Sequence, residues 1–199
     1  MIIGDYGSLM VHLEKAYIPG YTEDENCPLG YFSFNIDDKL YPSNFFHGAM
    51  ELYNLIDKMQ RNIEKWLATN PPDFNLGCEE ITQMQIDGCL EALNDDWEGD
   101  TLTGSFFRYD ENLFELTRYT ELADIDFCCF LGFQEDKDRL FYSVEFINKQ
   151  PWHYIFNEIT YPRGTVVDVI RALPKSSELE TIEELERNGI YRSYTRTKI

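Results

Sequence analysis

Few places in this sequence bring together residues able to do chemistry, and the first is the pair Asp124 and Asp126 in "DIDFCCFLGF". Residues two apart on a strand project from one face, so this pair could set two carboxylates on one divalent cation, for which oxygen donors are the natural ligands. Ile125, Phe127, Cys129 and Leu131 take the other face, which is equally the pattern of a sheet whose solvated side carries the aspartates, and no third ligand is identifiable. His12, His47 and His153 lie far apart and show none of the local spacings of zinc motifs. Cys27, Cys78, Cys89, Cys128 and Cys129 are odd in number and share no framework spacing, the usage of reduced thiols rather than disulfides. Cys128 and Cys129 are adjacent, so they point to opposite faces of a strand, one thiol buried and the other half-exposed. A phosphate-cradling glycine loop, a nucleophile elbow and a dinucleotide fingerprint are all absent from the sequence. The residues thus offer a metal-dependent enzyme one foothold, Asp124 and Asp126, and imply no cofactor.

The other concentration of polar chemistry is electrostatic. In "LNDDWEGDT" the carboxylates of Asp95, Asp96, Glu98 and Asp100 surround Trp97. Between Lys65 and Arg108 there is no Lys or Arg, while Asp73, Glu79, Glu80, Asp87, Glu91 and those four acids supply nine negative charges. A surface that receives a basic partner uses both kinds of residue, carboxylates to steer and an aromatic to anchor. The bland reading is a solvated loop with Trp97 tucked into the core. Asp95, Asp96, Trp97, Glu98 and Asp100 are therefore the candidate partner-binding residues.

The whole chain extends that argument. Its 36 acids against 17 Lys and Arg give a formal net charge of -19, a field that repels phosphate and so disfavours nucleic acid and anionic membranes while favouring a cationic partner. Acidity of this kind also serves solubility alone, and a nucleic-acid mimic acting on basic host proteins is a further reading. With 199 residues, of which 43% are hydrophobic, the chain is expected to form one domain with a substantial core. The start, "MIIGDYGSLMVHLEKAY", lacks the features of a signal peptide, and no apolar run approaches the roughly 20 residues of a membrane span, so a cytosolic location is expected.

The elements follow from periodicity. "SLMVHLEKAY" alternates, with Leu9, Val11 and Leu13 on an inner face and His12 and Glu14 outside. In "LGYFSFNIDDKLYP" Phe32, Phe34 and Ile36 share a face and Asp37-Asp38 supplies a hairpin turn. From Phe45 to Leu67 the spacing of Ala49, Leu52, Tyr53, Ile56, Met59, Gln60, Ile63 and Leu67, with Gln60 the one polar exception, predicts a helix, capped at Ser43 or Asn44 and ended at "NPP". A second helix is expected over 78–93, with Ile81, Ile86, Cys89, Leu90 and Leu93 inside and Glu79, Glu80, Asp87 and Glu91 outside. "GSFFRY", "LFELTRYTEL", "DIDFCCFLGF" and "RLFYSVEFI" then read as an antiparallel meander, with "WHYIFNEITYP" as one strand more. A short helix over 165–173 and a last one from Ser177, which has capping-box spacing to Glu180, complete the order. The fold class is α+β, a mainly antiparallel sheet with helices packed on one face.

"MIIGD", the first strand, the hairpin "GYFSFNIDDKLYP" and the helix "GAMELYNLIDKMQRNIEKWL" together resemble immunity family forty-two of the bacterial polymorphic toxin systems, the contact-dependent inhibition type among them. The likeness is carried from Met1 to about Leu67. It implies a cytosolic protein that neutralises a cognate toxin domain by occlusion in a one-to-one complex, with no catalytic residues of its own. Nuclease toxins are basic because they grip phosphate, so the resemblance and the acidity point to the same partner, a basic toxin domain and neither nucleic acid nor membrane.

Overall fold

A computed structural model describes residues 1–5, 7–16, 29–42, 50–94, 112–117, 122, 127–175, 178–179, 184 and 187–188. The chain divides into two units, Met1–Asp57 with Arg171–Ile199, and Lys58–Ile170. The class is α+β, as the alternating and helical periods require, with the strands gathered into two antiparallel sheets.

In the first unit the strands β1 (Ile2–Gly4), β2 (Met10–Lys15), β3 (Leu29–Ile36) and β4 (Lys39–Tyr41) lie in sequence order, and β5 (Met50–Glu51) pairs the start of β3. Asp37 and Asp38 join β3 to β4 with φ of 52° and 60°, the left-handed pair that a two-residue hairpin turn needs and that Asp tolerates better than most residues. Val11 faces Phe34 and Leu13 faces Phe32 across the β2–β3 ladder, and all four are buried. The opposite face of β2 departs from expectation, because His12 and Glu14 are buried too. β2 is flanked by β1 and β3 and covered on both faces, so its alternation separates apolar from polar rather than dry from wet. Asn35 and Ser33 share that buried polar face, opposite Met10 and His12.

The first helix starts later than its period suggests. Met50 and Glu51 pair with Gly30 and Leu29, so those residues satisfy their backbone groups in the sheet and α1 runs from Leu52 to Leu67. Ser43, Asn44 and Ala49 lie outside the described residues. Leu52, Ile56, Met59 and Ile63 are buried as the spacing requires, with Leu55 added. The end is set by Asn70, in the left-handed region at φ 53°, immediately before Pro71. Gly30 lets β3 lie close to both β2 and α1, since a Cβ there would collide with the Glu14 carbonyl oxygen and with Leu52 Cδ1.

The second unit contains α2 (Cys78–Asn94) and the meander β6 (Phe114–Glu115), β7 (Cys129–Gln134), β8 (Lys137–Ile147) and β9 (His153–Pro162). Of "LFELTRYTEL" only Phe114 and Glu115 are described as strand, and "GSFFRY" lies outside the described residues. Gly77 caps α2: its carbonyl accepts from Ile81 N, and its own N–H donates to Glu80 Oε2 at 2.9 Å, the return half of a capping box. Ile81 joins Phe74, Phe130, Phe141 and Phe156 in the core. Trp66 of α1 lies against Phe114 and Phe133, with ring centroids 5.4 and 4.9 Å away. α3 (Thr165–Arg171) is capped from outside its own sequence. Asp138 of β8, fully buried, accepts from Gly164 N at 2.9 Å and from Val166 N at 2.8 Å. A carboxylate there meets the positive end of the helix dipole. Ser177 and Glu180, proposed to cap a last helix, lie outside the described residues.

Candidate partner-binding surface

Asp95, Asp96, Trp97, Glu98 and Asp100 lie outside the described residues, and so do Asp124 and Asp126. The described part of the acidic block is Asp73, whose Oδ2 accepts from Glu135 N at 3.0 Å, together with the acids of α2, which form a presented surface. Glu79, Glu80, Gln83 and Asp87 are exposed, and Gln83 Nε2 donates to Asp87 Oδ1 at 2.8 Å. Leu90, 45% exposed, is spaced with Glu80, Gln83 and Asp87 along one side of the helix, and Leu76, 39% exposed, stands just before its start. Leu90 was expected inside. Instead Gln85 is buried, because α2 turns Thr82 and Gln85 toward β9: Gln85 Oε1 accepts from Tyr154 N at 2.8 Å and Thr82 Oγ1 donates to Tyr154 O at 3.1 Å. Hydrogen bonding to a strand thus rotated the helix away from its most apolar setting, a choice invisible to hydrophobic periodicity.

α2 carries Glu79 and Glu80 in its first turn and no basic residue in its last. The acids at the start are favoured by the helix dipole. At the other end Asn94 is followed directly in the sequence by Asp95 and Asp96, where carbonyl groups concentrate partial negative charge and a cation is the stabilising complement.

Among the described residues, burial holds three cysteines and one histidine in their neutral forms. Cys128 and Cys129 are both buried, which corrects the expectation of one half-exposed thiol; β7 is covered on both faces. Burial first, and the Glu115 carboxylate second, raise both thiols well above their ordinary range, so they stay protonated and are poor nucleophiles. Thr117 Oγ1 donates to Glu115 Oε1 at 3.5 Å and accepts from Cys129 N at 3.3 Å, while Ser143 Oγ accepts from Cys128 N at 2.9 Å. Cys78 is raised by burial and then by Glu158. Burial, and secondarily the N-terminal ammonium, lowers His12 to about 4 and leaves it neutral. The Nδ1 of His153 lies 2.7 Å from the Pro151 carbonyl oxygen. Among the described residues no group of three or more His, Cys, Asp or Glu is placed to hold a metal. Nor is any described helix long and apolar enough to cross a membrane.

One charged pair is built into the sheet. Arg139 of β8 donates through Nε and Nη2 to the two carboxylate oxygens of Glu158 on β9, at 2.6 and 2.9 Å, and through Nη1 to Phe74 O at 2.7 Å. Its guanidinium lies 4.9 Å from the Phe141 ring centroid. Sequence reading missed this pair, since no local spacing links residues on two strands.

A family model described as immunity protein 42 matches residues 1–176. The match passes through the meander and includes α3, well beyond the Met1 to Leu67 likeness. No curated protein and no solved structure matches the chain.

Proposed function

The chain belongs to the immunity protein 42 family, and from that membership we propose that it protects its own cell by binding a cognate toxin domain one-to-one and covering the surface the toxin works with. The partner in this reading is a basic nuclease domain, an RNase. The observation that carries this choice is the exposed acidic side of α2, with Glu79, Glu80 and Asp87 presented to solvent and continued in sequence by Asp95, Asp96, Glu98 and Asp100 around Trp97. A nuclease concentrates Lys and Arg where it grips phosphate, and carboxylates that occupy this surface both steer the encounter and exclude the substrate. The protein acts by occlusion in the cytoplasm, without catalysis or cofactor, over an interface of roughly 1,600 Å² or more.

The test is a binding titration against the C-terminal domain of the toxin encoded at the same locus. Tight binding at equal stoichiometry, with suppression of RNA cleavage by that domain, is the expected result. Many unrelated basic proteins captured together and lost together as salt rises would instead support the mimic reading. A metal-dependent enzyme on Asp124 and Asp126 predicts thermal stabilisation by divalent cations through mass action, which the immunity reading does not.

A further inference from the structure

Among the described residues β9 is an edge strand: in the order β6-β7-β8-β9 it pairs only with β8. The direction of each of its backbone groups can be read from neighbouring hydrogen bonds. Ser143 N donates to Cys128 O, toward β7, and Ser143 stands opposite Phe156. Phe156 therefore turns its N–H and C=O away from β8, as alternation in an antiparallel ladder demands. Arg163 N donates to Asp136 O on the β8 side, which puts the odd-numbered residues inward and Tyr154, Phe156, Glu158, Thr160 and Pro162 outward.

The protein closes this edge at one end. The outward groups of Tyr154 are both taken by α2, through Gln85 and Thr82. Pro162 has no N–H to offer. Between them Glu158 and Thr160 are exposed, and their outward N–H and C=O groups have no partner among the described residues. Long edge strands are ordinarily blunted along their length because they template further pairing; here the blunting stops midway.

The side chains flanking the open stretch specify what would fit. On one face stand Ile155, 36% exposed, and the partly buried Ile159. On the other stand Thr160 and Glu158, whose side chain keeps 25% exposure while paired to Arg139. The thiol of Cys78, in the first turn of α2, feels Glu158, then Arg139 in the opposite sense, then Glu80, so acids of the helix and of the strand share this neighbourhood with the guanidinium that Glu158 binds. The unit that contains them, residues 58–170, has 22 acids against 9 Lys and Arg. A second copy of the chain is a poor occupant, since β9 against β9 would oppose like carboxylates between two molecules of net charge -19 each.

We propose that the open edge of β9 takes up an extended segment of the toxin domain as an added strand, with apolar residues beside Ile155 and Ile159 and Lys or Arg beside Glu158. This rests on the immunity reading above and adds where and how the partner is held: main-chain bonds supply affinity and alternating side chains supply selectivity.

Amide hydrogen exchange followed by NMR tests it, using the full chain alone and with the toxin C-terminal domain encoded at the same locus. Alone, Glu158 and Thr160 should exchange at least about tenfold faster than the inward Asn157 and Ile159, and the complex should slow both outward amides by a similar factor or more. Thr160→Pro removes an outward N–H and no ladder bond, and should weaken binding about tenfold or more, while Thr160→Ala binds like the parent. Binding that leaves the Glu158 and Thr160 amides fast overturns the edge proposal and leaves the immunity reading standing. Protection of those amides already in the free chain, by its own residues or a second copy, also overturns it. Failure of the toxin domain to bind at all overturns both.

Discussion

The burial of His12 makes a pH-dependent prediction whose size can be worked out. An imidazole free in the unfolded chain titrates near 6.5, whereas in the fold burial, with a smaller contribution from the N-terminal ammonium, lowers it to about 4. Between those values the unfolded state binds a proton that the folded state refuses, so stability is complete above the unfolded value and is lost as the pH falls through it. At 1.36 kcal/mol per pH step of separation, the full loss below pH 4 is about 3 kcal/mol, and about 2 kcal/mol of it should be gone on passing from pH 7 to pH 5. Carboxylates titrate over an overlapping range, so the comparison is with His12→Gln, which cannot take up the proton. Urea unfolding at pH 7 and pH 5 should show the parent losing about 2 kcal/mol more than the variant, and the His12 imidazole followed by NMR should remain neutral at pH 5. Equal losses in parent and variant, or an imidazole that titrates near 6.5 in the folded protein, would refute the reasoning and mean that water reaches the polar face of β2.

Three other expectations concern packing, capping and binding. Gly30→Ala forces a methyl group against the Glu14 carbonyl and Leu52, and should lower unfolding free energy by about 3 kcal/mol or more, read from the urea midpoint. Asp138→Ala leaves the N–H groups of Gly164 and Val166 without their acceptor and should cost about 1–3 kcal/mol, with faster amide exchange confined at first to α3. Trp97→Ala should speed release of the toxin domain more than it slows association, while neutralising Asp95, Asp96, Glu98 and Asp100 together should lower the association rate and its salt dependence. Stopped-flow binding at two ionic strengths separates these effects, and parental kinetics in both variants would remove the patch from the interface.

Sequence alone determined what depends on near neighbours. The Asp37-Asp38 hairpin, the bounds of α2, the end of α1 before Pro71 and the sequential order of β6 to β9 follow from turn chemistry, period and short connections, which act over a few residues. The acidity of α2 was legible too, because charges at helical spacing with no apolar content must face water. Other features depended on elements distant in the chain. His12 alternates as a solvated residue would, yet β2 is covered on both faces. Met50 and Glu51 left the helix to pair with β3, and Gln85 turned inward at the expense of Leu90 because Tyr154 of β9 supplied a hydrogen-bond partner. Asp138 caps a helix 27 residues further along the chain, beginning at Thr165, and Arg139 finds Glu158 across a ladder. The open edge of β9 is of the same kind: whether a strand is central or terminal in its sheet is settled by which other strands arrive beside it, and backbone groups carry no residue code to announce it.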